Sequence, residues 1–169
     1  MKVLGPNQFR LLTLMPVLFC AGLLGYAYYV EYVEYLYPCP LCILQRVVFA
    51  AIALLFLLAL IKPVRGIGKT VFGVLNIIVG LIGVGIAGRH VWLQNLPPDE
   101  VPDCGPGLFM IMDNSPFFEG IATIFKGSGS CAEISWTFLG LSMPAWTLIC
   151  YVVLIVFTIL WMRIKVIKS

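Results

Sequence analysis

Charged residues are scarce in this sequence, and several long apolar runs contain none. Charged side chains make up 11% of the 169 residues, hydrophobic side chains make up 61%, and the mean hydropathy is +1.01. A soluble globular domain carries about 25% charged residues, so the composition excludes that class. It predicts an integral membrane protein with the length of a single domain, residues 1–169.

Motifs that are missing exclude further classes. The basic residues flank apolar runs and do not form one basic face, which argues against nucleic-acid binding. The chain has one histidine, His90, and no second Cys-x-x-Cys, so the ligand set for zinc is incomplete and we expect no metal site. No Ala-x-Ala-like cleavage site follows the first apolar run, which we therefore expect to be a retained span.

Four apolar runs are long enough to cross a hydrocarbon core about 30 Å thick as helices. Gly80, Gly83 and Ala87 recur at helical spacing in the third run, which predicts a face that packs closely on a neighbouring helix. Cys20 and Cys150 lie inside runs, where packing is the better interpretation of a cysteine. The predicted spans cover about residues 11–30, 42–61, 70–88 and 144–162.

The basic residues also predict how the spans are oriented. Eight of the eleven Lys and Arg lie in the two termini and between the second and third spans, so both termini should be cytoplasmic. All eight acids lie in the other two loops, about residues 31–41 and 94–143. Those outer loops contain four cysteines on the oxidising side of the membrane. They are Cys39, Cys42, Cys104 and Cys131.

The longer outer loop has an apolar middle and a flexible end. Residues 117–125 are too short to span but carry few charges, so we expect a short interfacial helix there, with a small folded cap as the alternative. The stretch 127–130, Gly-Ser-Gly-Ser, predicts freedom of movement beside Cys131.

The shorter outer loop contains the Cys-x-x-Cys at the point where it becomes a helix. Pro40 suits the first helical position, so the helix should begin between Cys39 and Cys42. Cys42 then lies in the first turn, where the helix dipole favours a thiolate, and Arg46 lies one turn further along the same face. The four outer cysteines could be structural disulfides, metal ligands or redox couples. A disulfide across so short a loop restrains the unfolded chain only slightly, which favours redox couples.

Two stretches resemble the signature of the disulfide bond formation protein B (DsbB) family, the quinone-reducing membrane thiol oxidases of bacteria. The first is Tyr37-Pro38-Cys39-Pro40-Leu41-Cys42-Ile43-Leu44-Gln45-Arg46, and the second is Cys131-Ala132-Glu133-Ile134-Ser135-Trp136-Thr137-Phe138-Leu139-Gly140-Leu141-Ser142-Met143-Pro144. Together with the four spans and the second cysteine pair, the resemblance extends over nearly the whole chain. It implies an all-α membrane protein, a four-transmembrane-helix bundle in the bacterial inner membrane with its active cysteines on the periplasmic side.

The resemblance also implies a route for electrons. A reduced thioredoxin-like oxidase of the DsbA type attacks a Cys104–Cys131 disulfide and forms a mixed disulfide through Cys104. Thiol exchange then passes the electrons to Cys39 and Cys42. This cycle sustains disulfide bond formation in exported proteins.

The implied electron acceptor is a membrane quinone, either ubiquinone or menaquinone, held near Arg46, His90 and Gln45. For His90, a purely interfacial role stays open beside the quinone role. The alternative is a non-enzymatic membrane scaffold or small transporter with structural outer disulfides. That alternative leaves the paired cysteines and Arg46 unexplained.

Overall fold

The computed structural model describes residues 3–61, 66–97, 99–101, 129–134 and 136–166 of the chain. Four long helices account for most of these residues. The elements in chain order are β1 Val3–Leu4, α1 Pro6–Val33, α2 Pro40–Ile61, α3 Ile67–Gln94, α4 Gly129–Ala132, β2 Thr137–Phe138, β3 Leu141–Ser142, α5 Met143–Arg163 and β4 Lys165–Val166.

Helices α1, α2, α3 and α5 are each long and apolar enough to cross a membrane. This confirms the prediction of a helical membrane protein with four spans. Each helix is longer than the apolar run that predicted it, because a helix continues through the interfacial region beyond the hydrocarbon. Helix α2 begins at Pro40, between the two cysteines, as its sequence predicted.

Helix α3 lies between α2 and α5, and α1 packs on the other side of α2. The glycine face of α3 explains its close contact with α5. An added Cβ at Gly83 would lie 2.7 Å from the Tyr151 ring, and one at Gly80 would lie 2.8 Å from Ile155. Ala87 is fully buried on the same face. The predicted small-residue face is therefore confirmed, and it brings the backbone of α3 against large side chains of α5.

The two ends of the bundle differ. At one end, β1 and β4 pair in parallel, which brings the first and last described elements together. Near this end the Trp161 indole donates a hydrogen bond of 2.9 Å to Thr13 and stacks on Phe9 at 5.5 Å. The other end, which we call the cysteine end, contains the start of α2, helix α4 and the β2–β3 hairpin. The hairpin turns at Leu139 and Gly140, both with positive φ.

The long outer loop is described only in part, at 94–97, 99–101, 129–134 and 136–143. Gly129 and Ser130, which we expected to be flexible, form the first residues of α4. Their helical conformation follows from packing, since α4 contacts α3 and its Cys131 is fully buried. Cys104 and the expected interfacial helix over 117–125 lie outside the described residues.

We predict that Gly83→Ala lowers the thermal unfolding midpoint of the protein in detergent. The Tyr151 ring cannot move away, because it stacks on Phe49 at 4.3 Å and its hydroxyl donates a hydrogen bond to the Gln45 carbonyl. Overpacking of this kind costs about 1–3 kcal/mol of unfolding free energy.

Gly85→Ala is the matched control, because it makes the same substitution in the same helix. Among the described residues, an added Cβ at Gly85 meets nothing within 4 Å, so the midpoint should stay or rise slightly. Equal midpoints for the two variants would contradict the close α3–α5 contact.

Candidate functional site

The Cys-x-x-Cys forms a dithiol at the start of α2. Cys39 immediately precedes the helix and Cys42 lies in its first turn, with the two Sγ atoms 3.1 Å apart. The backbone N–H of Cys42 donates to Cys39 Sγ at 3.4 Å. A disulfide would join the two sulfurs at about 2.05 Å, so the structure has both residues as thiols.

His90 of α3 lies directly against this dithiol. Its Nε2 is 3.7 Å from Cys39 Sγ, and the residue is 2% exposed. On the other side of the ring, Nδ1 lies 3.2 Å from Nε2 of Gln45. The fold thus brings together a histidine and a cysteine that are 51 residues apart in the chain.

Gln45 is held in place by helix α5. The Thr147 hydroxyl donates to Gln45 Oε1 at 2.7 Å, and the Tyr151 hydroxyl donates to the Gln45 backbone carbonyl at 2.8 Å. Burying an amide without partners would cost free energy, and these bonds satisfy it. Sequence reasoning did not identify Thr147 or Tyr151, because both lie more than 100 residues from Gln45 and no motif connects them.

Cys131 joins the site from α4. Its thiol hydrogen-bonds with Cys39, and its backbone hydrogen-bonds with His90. The side chain is fully buried. Three of the four outer cysteines predicted from sequence therefore meet at one point, while Cys104 lies outside the described residues.

The neighbouring thiols change the acidity of Cys39. Hydrogen bonds with Cys131 and then Cys42, together with burial, raise the pKa of the Cys39 thiol above its ordinary value. A thiolate at Cys39 is therefore disfavoured by its neighbours.

Arg46 lies one turn beyond Cys42 and is bound by α1. Its guanidinium forms an ion pair with Glu31, donates to the Ala27 carbonyl at 3.1 Å and lies 5.1 Å from the Tyr28 ring centre. Sequence reasoning did not identify Glu31 as a partner. The spacing of 15 residues crosses a loop, and no local pattern reports how α1 and α2 align.

A cavity of about 290 Å³ opens beside these residues. Most of its wall is apolar and comes from α1, α2 and α5. Its polar lining includes Cys42, Arg46, Gln45 and His90. An apolar cavity with a few converging polar groups is the usual form of a small-molecule site. The apolar lining residues include Leu23, Leu24, Ala27, Val30, Phe49 and Pro144.

The two cysteines inside spans belong to the helix packing. Cys20 is fully buried, and Cys150 is partly buried against the same hydrophobic core. Cys150 also lines the cavity, which its sequence position did not indicate.

Four spans with a dithiol, a third cysteine and a histidine at one end define a multi-pass membrane protein with a thiol site. Comparison with known proteins identifies the family. The family model for disulfide bond formation protein DsbB matches residues 9–161. The chain therefore belongs to the DsbB family.

Individual relatives agree with the family match, and each is named disulfide bond formation protein B. The one from Methylococcus capsulatus is 48% identical over 87% of this chain and 90% of its own. The one from Nitrosococcus oceani is 50% identical over 80% of each chain. The one from Saccharophagus degradans is 40% identical over 98% of this chain and 99% of its own. This membership supports a role in disulfide bond formation as an oxidoreductase.

We predict that Cys131→Ala makes Cys39 react with a small alkylating reagent at lower pH. Removing the Cys131 thiol removes the largest cause of the raised Cys39 pKa, so more Cys39 thiolate exists at a given pH. Mass spectrometry of alkylated peptides from the reduced protein, across a pH series, measures the change.

Cys20→Ala is the control, since Cys20 is buried in the membrane part of the bundle and should leave the Cys39 profile unchanged. A Cys39 profile that is the same in Cys131→Ala and in the parent protein would show that the two thiols do not interact.

Proposed function

We propose that this protein re-oxidises a DsbA-like thioredoxin-fold partner and passes the electrons to a membrane quinone. The partner lies in the periplasm, and the protein is in the bacterial inner membrane with its cysteine end on the periplasmic side. The observation that carries this proposal is the cavity, because Cys42, Arg46 and His90 line it together beside the dithiol.

The chemistry of the lining fits a quinone. A quinone has an apolar ring and two carbonyl oxygens, so it needs an apolar cavity with hydrogen-bond donors. The α1 and α5 side chains supply the apolar wall. Arg46 and His90 would hold the oxygens, and Gln45 would orient His90. When bound, a quinone supplies an acceptor for two electrons and two protons.

The residues of the chain perform the remaining steps. Oxidation of the Cys39 and Cys42 thiols to a disulfide releases two electrons and two protons. Both sulfurs belong to the cavity lining, and Cys42 is the one that lies in the first turn of α2. Arg46 lies one turn away, so its charge favours the Cys42 thiolate and stabilises negative charge that develops beside it.

Glu31 has a positioning role in this proposal. It pairs with Arg46 from α1, which fixes the guanidinium at the cavity wall and offsets part of its charge in the membrane. The guanidinium has further N–H donors beyond its bonds to Glu31 and Ala27, so the ion pair leaves donors for an acceptor oxygen.

The new disulfide is reduced again by exchange with the second cysteine pair. Cys131 hydrogen-bonds with Cys39, so its sulfur is next to the one that it would attack. A transient Cys39–Cys131 disulfide would connect the two pairs and leave Cys104 to react with the partner.

We predict that the purified protein reduces quinone when given a dithiol or a reduced thioredoxin-fold protein. Arg46→Lys should raise the quinone KM, and Arg46→Met should raise it further, by about tenfold or more, because a charge-assisted hydrogen bond contributes about 1.5–3 kcal/mol. Quinone absorbance during turnover measures both values.

Arg89→Lys and Arg89→Met are the matched controls. Arg89 is an arginine of the described cysteine end whose guanidinium lies 4.1 Å from the Trp92 ring, outside the cavity lining. An unchanged quinone KM in both Arg46 variants would show that quinone does not bind at Arg46. Absence of any quinone reduction by the parent protein would refute the proposed function.

We also predict that Cys131→Ala accumulates a mixed disulfide between Cys104 and the thioredoxin-fold partner. In this variant Cys104 is a lone thiol, so it forms the mixed disulfide by attacking the disulfide of the oxidised partner, and one partner thiol is released. Without Cys131, no thiol of the second pair is left to displace the partner again. Non-reducing electrophoresis followed by mass spectrometry of the linked peptides identifies the cysteine. Partner trapped on Cys42, with none on Cys104, would reverse the assigned order of the pairs.

A further inference from the structure

Three metal-ligating side chains converge at the cysteine end. Cys39 Sγ, Cys42 Sγ and a ring nitrogen of His90 all lie within 4.8 Å of one another, and we call them the dithiol–histidine cluster. Thiolate sulfur and imidazole nitrogen are preferred ligands of Zn²⁺. From the sequence we expected no metal site, because one histidine and a single Cys-x-x-Cys leave the ligand set for zinc incomplete.

We propose that the reduced dithiol–histidine cluster binds Zn²⁺, and that the bound ion blocks the thiol chemistry of the site. The metal-binding step is independent of the proposed function. The blocking step rests on it, since it concerns electron transfer through the same two cysteines.

The distances suit a tetrahedral zinc ion. With Zn–S bonds of about 2.3 Å and Zn–N bonds of about 2.0 Å, ligand atoms are separated by about 3.5 Å for sulfur and nitrogen and about 3.8 Å for two sulfurs. Cys39 Sγ and His90 Nε2 are already 3.7 Å apart. The two sulfurs are 3.1 Å apart and must separate by about 0.7 Å. A side-chain rotation achieves this, and repulsion between the two thiolates favours it.

The surroundings of the cluster support a bound cation. Two thiolates neutralise the charge of Zn²⁺, so the complex is neutral and its burial is not costly. Zinc-bound histidine needs a partner for its other ring nitrogen, and the Gln45 amide lies 3.2 Å from Nδ1. Rotating the Gln45 side-chain amide by about 180° exchanges its nitrogen and oxygen, so that Oε1 accepts a hydrogen bond from Nδ1–H of His90. Thr147 can then accept from the amide nitrogen while it donates to the Pro144 carbonyl at 2.9 Å.

The binding step involves no redox change. Zn²⁺ forms two bonds to sulfur and one to nitrogen, and the two thiols release two protons. The fourth position is open to water or to the Cys131 thiol, which hydrogen-bonds with Cys39. A Cys39–Cys42 disulfide has no thiolate to offer, so only the reduced form binds. In the zinc-bound form, the sulfur lone pairs are bonded to the metal ion. They are then not available for oxidation or for thiol exchange, which both require them.

Cobalt provides the direct test, because tetrahedral Co²⁺ bound to thiolates has characteristic visible and charge-transfer absorption bands. The full-length protein is purified in detergent, reduced, freed of reductant and titrated with Co²⁺. We expect the bands to appear at one equivalent and to disappear when Zn²⁺ is added. The same protein oxidised to the Cys39–Cys42 disulfide should give no bands. This comparison needs no substitution and so does not depend on a variant folding.

Substitutions then assign the ligands. Cys42→Ala should abolish the bands. His90→Ala should weaken Co²⁺ binding by more than about tenfold, because removing a group that only supports a ligand already costs about that much. Cys20→Ala is the matched control and should keep the bands, because Cys20 is buried in the membrane part of the bundle. Equal binding by reduced and oxidised protein, or full bands in Cys42→Ala, would refute the site.

Quinone reduction separates the two steps of the proposal. Zn²⁺ should inhibit dithiol-driven quinone reduction, and a chelator should restore it. Zinc that binds the cluster without lowering turnover would refute the blocking step. A parent protein that binds Co²⁺ but never reduces quinone would refute the proposed function and leave the metal site standing.

Discussion

The contact between His90 of α3 and the start of α2 is the interaction on which the cysteine end depends. Cys39 and Gln45 lie on opposite sides of the imidazole, at 3.7 Å and 3.2 Å. Helix α5 adds hydrogen bonds from Thr147 and Tyr151 to Gln45. Three helices therefore meet through one connected set of polar groups. Because each group satisfies another, the set can be buried in an apolar bundle without orphaned donors or acceptors.

The contact between His90 and the start of α2 depends on the glycine face of α3. Tyr151 lies over Gly83, and the same ring stacks on Phe49 while its hydroxyl bonds to Gln45. A larger residue at Gly83 would push α5 away from α3 and from α2. In a membrane, where lipid is as apolar as the side chains, such close packing and interhelical hydrogen bonds are what hold helices together. The packing of the spans and the geometry of the site are therefore linked.

The ion pair at the cysteine end fits the proposed transfer of electrons to a quinone. Arg46 is balanced by Glu31, so a guanidinium can lie at a cavity wall near the hydrocarbon. Among the described residues Cys39 has no such ion pair, and its neighbouring thiols raise the pKa of its own thiol. An anionic sulfur beside a fixed arginine suits electron transfer. Two sulfurs beside an imidazole nitrogen are also a ligand set that suits the proposed Zn²⁺.

The sequence by itself determined the class of protein, the four spans and the start of α2. These follow from segments acting one at a time: an apolar run long enough for the bilayer must be helical, and the fixed φ of Pro40 suits the first position of a helix. The small-residue face of α3 could also be predicted, because the spacing of Gly80, Gly83 and Ala87 places them on one face of a helix. The resemblance to the family predicted functional roles for Cys39, Cys42, Cys131, Arg46 and His90.

Only the tertiary structure decided which of these residues meet. It placed His90 and Cys131 on Cys39, paired Arg46 with Glu31, and put Thr147 and Tyr151 on Gln45. It also gave Gly129 and Ser130 a helical conformation where their composition indicated flexibility. Contacts between helices depend on how side chains fit across two surfaces, and no periodicity within one segment records the alignment of another. The cluster of two thiols and an imidazole is therefore a property of the assembled bundle.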